Sequence, residues 1–200
     1  MTRVFLASRN AKKLAEMQRI LAEHLPGIEV LGLDDVPAYD EPVEDQPSFE
    51  GNALLKARAG LEVTGLPTVA DDSGLCVDAL DGGPGLYSSR FGGEGATDDD
   101  RNRLLLEKLR GLPREKRGAH FTSAVAVVRG SEVLFDAQET VDGFIAEETR
   151  GSNGFGYDPL FFYPPFGHTF GETRPEDKDR VSHRGKAFAR LRRFLESHSA

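Results

Sequence analysis

The sequence predicts an α/β fold, a mixed twisted sheet with helices on its faces. Three observations predict it. Strand-like and helix-like stretches alternate from Arg3 to Arg110, a strand–turn–strand pair follows around Arg129-Gly130-Ser131, and a helical pattern closes the chain. No repeat, low-complexity tract or flexible linker interrupts the 200 residues, so they are read as one domain, residues 1–200. The same order admits two lobes with a cleft between them. Strand order is left open.

Taken in order, Arg3–Ala7 reads as a first strand. Asn10 caps a helix from Ala11 to about Leu25, with Leu14, Met17, Leu21 and Leu25 at helical spacing. Glu29–Gly32 is a short second strand. Asp34–Pro47 holds Pro37, Pro42 and Pro47 and is a loop. Ser48 caps a helix from Phe49 to about Val63. Pro67 opens the central strand, which is expected to end at Asp71-Asp72, with a sharp turn at Gly74 and a separate apolar piece at Leu75–Val77. Asp81-Gly82-Gly83-Pro84-Gly85 is a turn cluster. Thr97 caps a helix to about Arg110, with three acids at its positive end. His120–Val128 and Glu132–Asp142 pair as a hairpin, Gly151–Pro159 is a glycine-rich loop, and Leu160–Tyr163 is a strand. Lys178–Ser197 contains a last helix, faced by Val181, Phe188, Leu191 and Leu195.

Composition excludes several classes. Apolar residues are 38% and charged residues 29%, ordinary for a globular protein. No apolar run is long enough to span a bilayer, and the apolar part of the first residues is too short for a secretory signal. The single cysteine, Cys76, excludes an internal disulfide framework and fits a reducing compartment, so a cytoplasmic location is expected. The net charge of −8 speaks against nucleic acid as a partner. Its distribution is uneven. Asp34–Asp81 holds twelve acidic and two basic residues, Arg174–Arg193 eight basic and three acidic, and the first twenty residues five basic and one acidic. An acidic middle flanked by basic ends suits a metal carrying a polyphosphate. Solvated faces of differing sign give the same pattern.

Four segments carry candidate chemistry. At Asp71-Asp72, two carboxylates on a buried strand are costly unless something positive compensates them, and Mg²⁺ is the common compensator near phosphates. One carboxylate would hold the metal and polarise a water, Ser73 would touch a phosphate, and Glu44 in the acidic loop would reach the same cation. Taken alone, the pair also reads as surface caps. Ser8-Arg9-Asn10-Ala11-Lys12-Lys13 sits where a helix begins and offers amide donors and a positive charge to phosphate. It lacks the glycine spacing of a Walker loop, and alone Asn10 is a plain cap. In Gly154-Phe155-Gly156-Tyr157-Asp158, glycines on both sides of Phe155 allow a flat ligand close approach, and the ring would stack on a nucleobase. A core Phe in a tight turn is the alternative. Lys178, Ser182, His183 and Arg184 supply donors for phosphate or keto oxygens, although His183 alone reads as a helix-terminus histidine.

Together and in this order, these segments resemble the inosine triphosphatase family, the bacterial dITP/XTP pyrophosphatases. The likeness also rests on Phe49, Asn52-Ala53 and Lys56-Ala57, and on Gly83-Pro84-Gly85 through Tyr87-Ser88-Ser89-Arg90. It implies an elongated, inosine triphosphatase-like α/β fold with two lobes and a central cleft, and a homodimer. It implies Mg²⁺-dependent hydrolysis of non-standard purine nucleoside triphosphates (ITP, dITP, XTP) to the monophosphate and pyrophosphate, which cleanses the nucleotide pool. By resemblance, Asp72 is the catalytic carboxylate and a metal ligand, with Glu44 as the second ligand and Glu41 or Glu50 as alternatives. Ser8, Arg9, Asn10, Ala11, Lys12, Lys13 and Ser73 meet the phosphates. Phe155, Gly156, Tyr157, Asp158, Lys178, His183 and Arg184 meet the base and sugar. One departure is that Gly51 stands where the family often has Glu. A pyrophosphatase of broader nucleotide range and a non-catalytic nucleotide sensor are the competing readings.

Overall fold

A computed structural model describes residues 3–24 and 27–197. Seven strands form one mixed sheet in the order β2-β1-β3-β4-β5-β6-β7. Strand β1 (Arg3–Leu6) runs parallel to β2 (Glu29–Leu31) and to β3 (Thr68–Val77). Strand β4 (Gly118–Arg129) lies between β3 and β5 (Glu132–Ile145). The antiparallel neighbours β6 (Phe161–Tyr163) and β7 (His168–Thr169) complete it. The helices are α1 (Ala11–His24), α2 (Phe49–Thr64), α3 (Asp98–Lys108), α4 (Pro175–Val181) and α5 (His183–Ser197). Among the described residues, no helix is long and apolar enough to cross a membrane.

The expected elements are present, with three corrections. Strand β3 does not end at Asp71-Asp72. It runs unbroken through Ser73 and Gly74 to Val77. The closing helical pattern is two helices: Ser182 is extended (φ −68°, ψ 160°) and separates α4 from α5. Strand β5 extends three residues past Asp142, to Ile145. Leu25, expected at the end of α1, lies outside the described residues.

The chain divides into two compact units, one of Met1–Asp72, Ser123–Glu139 and Arg184–Ala200, the other of Ser73–Thr122 and Thr140–His183. In the first unit the sheet is buried on both faces, which explains its near-continuous apolar runs. Successive strand residues point to opposite faces. Val4, Leu6, Val69, Val125 and Val127 pack with Met17 and Ile20 of α1 and Phe188 and Leu191 of α5. Phe5, Ala7, Ala70, Ala124 and Ala126 pack with Ala53 and Ala57 of α2. Helix α2 approaches the sheet closely because Gly60 has no side chain: a Cβ there would lie 2.8 Å from the Phe5 ring and 2.9 Å from Thr68 Cγ2. Ser48 caps α2 as expected, its hydroxyl accepting from the Gly51 amide at 3.1 Å.

The second unit has its own core, built from Leu75 and Val77 of β3, Phe121 of β4, Ile145 of β5, Leu105 and Leu109 of α3, and Phe161 and Phe170. Aromatic contacts dominate it, with Phe121–Phe161 centroids 4.6 Å apart and Phe161–Phe170 5.0 Å. Val181 packs here, whereas Phe188 and Leu191 belong to the first unit's core. The break at Ser182 is what allows one apolar pattern to serve two cores.

Candidate active site

The pleat of β3 decides what its two acids do. Val69 faces α1 and α5, Ala70 faces α2, and the alternation continues: Asp71 turns to the α1/α5 face and Asp72 to the α2 face. Adjacent in sequence, the two carboxylates have different partners and different work.

Asp71 is 2% exposed and sits in a network of buried charge. Its carboxylate accepts from Lys13 Nζ at 3.0 Å, from the Ser123 hydroxyl of β4, and lies 3.5 Å from Arg184 Nη2. Arg184, 1% exposed, also binds Glu16 of α1. Burial pushes the Asp71 carboxyl up, but Arg184, Lys13, the Ser123 hydrogen bond and Lys56 outweigh it, so it is held far below the usual carboxylate range. Burial likewise works against the Arg184 cation, and Asp71 and Glu16 reverse that and hold it firmly protonated. The charges that would prohibit a strand through this position are thus compensated from three elements.

Asp72, 6% exposed, meets α2. Its Oδ1 accepts from Lys56 Nζ at 2.9 Å and its Oδ2 from Asn52 Nδ2 at 3.2 Å. Lys56 Nζ also donates to Glu44 Oε1 at 2.9 Å. Asn52 Oδ1 accepts from the Gln46 amide at 3.1 Å, which ties the acidic loop to α2. Burial would lower the Lys56 ammonium's proton affinity, but Asp72 and Glu44 raise it above the ordinary lysine value. Asn52 and Lys56 are one turn apart on one helix face, and Ala53 and Ala57 beside them are small enough to let that face reach the strand.

Among the described residues, no group of three or more His, Cys, Asp and Glu side chains is placed to hold a metal ion. The site nevertheless suits Mg²⁺, which takes one or two carboxylates and completes its shell with water and phosphate oxygens. Glu44 and Asp72 already converge on one cationic atom, Lys56 Nζ, at 2.9 Å each. The alternatives fit less well. Glu41 lies 3.6 Å from Arg9 Nε, and Glu50 lies 3.0 Å from the Gln138 amide in the orientation that satisfies both groups. At Gly51 a Cβ would approach Gln46 Cβ to 2.8 Å, so the loop as folded here leaves no room for the family's Glu.

The start of α1 lies in the same unit. Ser8 is buried, and Asn10 caps the helix, its Oδ1 accepting from the Lys12 and Lys13 amides at 3.0 Å each. Arg9 donates to the Tyr39 carbonyl at 2.7 Å. Ala11 and Lys12 are exposed. Lys13 joins this segment to Asp71, so the basic start of the chain and the acidic strand do meet.

The second unit gathers most of the expected base-side residues. Asp158, 2% exposed, is central. Its Oδ2 accepts from the Phe155 amide at 2.8 Å and from Lys178 Nζ at 2.7 Å. The ammonium of Lys178 lies 5.1 Å from the centroid of the half-buried Phe155 ring, a cation–π contact. His183 stacks on Phe121 at 4.8 Å. Tyr157 is buried and donates its hydroxyl to the Ser88 carbonyl at 2.8 Å, and burial raises its pKa above the usual phenol value. Ser88 in turn accepts from the Leu75 amide at 2.9 Å, which fixes the Gly85–Ser88 segment to β3. Arg184 belongs to the first unit, where it binds Glu16 and faces Asp71.

Gly154 is required where it stands. Its φ is +73°, and a Cβ would lie 2.0 Å from Asp158 Oδ2. Gly154→Ala is expected to destabilise the protein by about 1–3 kcal/mol, which thermal unfolding measures, while displacing Asp158 from Lys178.

Sequence reasoning gave no role to Asn52, Lys56, Ser123 or Glu16. The four-residue spacing of Asn52 and Lys56, each followed by alanine, was a usable signal. Glu16 had none, since its partner Arg184 is 168 residues away.

The chain as a whole is similar to known proteins. The Ham1 family model matches residues 4–194. A dITP/XTP pyrophosphatase of Nocardia farcinica is 50% identical over 194 residues, 96% of this chain and 93% of the relative. The crystal structure of a nucleoside-triphosphatase / dITP/XTP pyrophosphatase from Mycobacterium abscessus superposes with a TM-score of 0.75 at 48% identity, covering 94% of this chain and 98% of that one. A HAM1 protein from Coxiella burnetii gives 0.86 at 39% identity, covering 98% and 100%. The family resemblance read from the sequence is borne out along nearly the whole length, and this chain belongs to the Ham1 family.

Proposed function

We propose that this chain hydrolyses non-standard purine nucleoside triphosphates (ITP, dITP and XTP) to the monophosphate and pyrophosphate, and so cleanses the nucleotide pool. Relatives from Nocardia farcinica and Geobacter sulfurreducens, 50% and 46% identical, are named dITP/XTP pyrophosphatases. The observation that carries the reading is the convergence of Asp72 and Glu44 on one cation beside a buried strand.

In this reading Asp72 and Glu44 hold Mg²⁺, which when bound would neutralise phosphate charge and acidify a water. Asp72 orients the attacking water and takes its proton. The water oxygen bonds to the α-phosphorus, the bond from that phosphorus to the bridging oxygen breaks, and pyrophosphate leaves with the bond's electron pair. Lys13, the positive N-terminal end of α1 in the Ser8–Lys13 segment, and the Ser73 hydroxyl offset the charge of the phosphate tail. Phe155 stacks on the base. Lys178 and His183 present donors to the base and sugar, and resemblance adds Gly156, Tyr157, Asp158 and Arg184. Donors that face the 6-keto oxygen of hypoxanthine or xanthine face an amino group in adenine, and each unpaired buried group costs about 1–3 kcal/mol.

Pyrophosphate release from ITP, XTP, GTP and ATP tests the proposal. ITP and XTP are expected to exceed ATP by about a hundredfold or more in kcat/KM, and equal rates on all four contradict it. Chelating divalent ions is expected to reduce turnover to background, with Mg²⁺ restoring it. Turnover that persists in chelator removes the metal from the reading. We further propose a homodimer in the cytoplasm, for which light scattering would give twice the chain's 21.9 kDa.

A further inference from the structure

We infer that Asp98 and Asn102 of α3 are positioning residues for nucleobase recognition. They hold both backbone polar groups of Gly156, the residue after Phe155. This rests on the proposed nucleotide reading and deepens it.

Helix α3 begins with three acids, and they are not equivalent. Asp100 completes a capping box with Thr97: its amide donates to the Thr97 hydroxyl at 3.1 Å and its carboxylate accepts from the Thr97 amide at 3.0 Å. Asp98 instead reaches away from its own helix. Its Oδ2 accepts from the Gly156 amide at 2.9 Å, while its Oδ1 accepts from Arg101 Nη2 at 2.7 Å. Arg101 is itself fixed, donating to the Ser89 and Ala96 carbonyls at 3.0 and 2.6 Å. The Asp98 carboxylate therefore has little rotational freedom.

Asn102 lies one turn further along the same face. Its Nδ2 donates to the Gly156 carbonyl at 3.0 Å. The amide orientation follows from that partner, because a carbonyl must meet the nitrogen and not the oxygen. Asn102 is 2% exposed, and among the described residues its buried Oδ1 has no hydrogen-bond partner. An apolar side chain would fill the same volume without burying an unsatisfied acceptor. What the asparagine supplies is the grip on Gly156.

One helix face thus takes both the N–H and the C=O of a single residue. The neighbours of Gly156 are tied as well: the Phe155 amide to Asp158, and the Tyr157 hydroxyl to the Ser88 carbonyl. Asp98 and Asn102 close the remaining freedom of the loop that presents the Phe155 ring. The loop is then ordered before a base arrives, and binding need not supply that ordering. A residue acting in this way changes ground-state and transition-state binding alike, so its loss appears in KM and not in kcat.

Steady-state kinetics on dITP with Mg²⁺ test this, using the unaltered protein, Asp98→Ala, Asn102→Ala and the double variant, each with its melting temperature. Each single variant is expected to raise KM about tenfold with kcat within about twofold. The double variant should fall short of the product of the two, because both hold one residue. Asp98→Asn, which keeps an acceptor for the Gly156 amide, should recover part of the loss. Unchanged KM in both single variants overturns the inference. So does a fall in kcat that tracks the melting temperature at constant KM, since that is lost folded protein and not lost positioning. Absence of pyrophosphate release by the unaltered protein overturns the nucleotide reading first, and the inference with it.

Discussion

Asp72→Asn is expected to lower pyrophosphate release from dITP by about a thousandfold while leaving nucleotide affinity and melting temperature nearly unchanged. The reason is geometric. Asp72 faces α2, where it shares the Lys56 ammonium with Glu44. Removing its charge removes the proposed proton acceptor and a metal ligand together, but Lys56 retains Glu44 and no charge is stranded. Asp71→Asn provides the contrast. Its side chain points to the other face, into Lys13, Ser123 and Arg184. That variant is expected to lose stability and to keep turnover within about tenfold of the unaltered protein. If the two substitutions have the same effect on turnover, the division of labour by the pleat of β3 is wrong. Stopped assays of pyrophosphate, with affinity measured by calorimetry on a non-hydrolysable analogue, separate the cases.

Arg184→Met is expected to be strongly destabilising, by about 3–5 kcal/mol, because it removes a buried cation that two buried carboxylates share. Arg184 is 1% exposed and serves both Glu16 and Asp71. Urea denaturation measures the loss, and a value under about 1 kcal/mol contradicts the network. Pairing the change with Glu16→Gln should recover part of it, since one stranded charge is then removed. The network also carries a pH dependence of defined sign. The folded Asp71 carboxyl is held below its unfolded value of about 3.8 by Arg184, Lys13, Ser123 and Lys56, which together outweigh burial. Its stabilisation is therefore fully present above the unfolded value and is lost as pH falls below it toward the folded one. The unaltered protein should lose stability steeply below about pH 4, and Asp71→Asn should lose it less steeply.

Much of this was legible in the chain, and the failures share a cause. Caps and helical spacing located α1, α2 and α3, because Asn10, Ser48 and Thr97 act locally. The candidate residues were visible too, and the structure brings Glu44 to Asp72 through Lys56, and Phe155 and Lys178 to Asp158. What failed was any feature set by distant partners. Asp71-Asp72-Ser73-Gly74 looks like the end of a strand by local propensity. It continues because Lys13, Arg184, Lys56 and Asn52 compensate both acids from other elements. The last helical pattern looked single because Val181 is in phase with Phe188, and only packing shows that they serve different cores. Arg184 reads as a neighbour of His183, yet its contacts are with α1 and β3.

The most direct measurement is the fate of the water oxygen. When dITP is hydrolysed in ¹⁸O-labelled water, the account expects one label in the monophosphate and none in pyrophosphate, because attack is at the α-phosphorus. Label in the pyrophosphate, or stepwise release of orthophosphate, would place the attack elsewhere and contradict the assignment of Asp72.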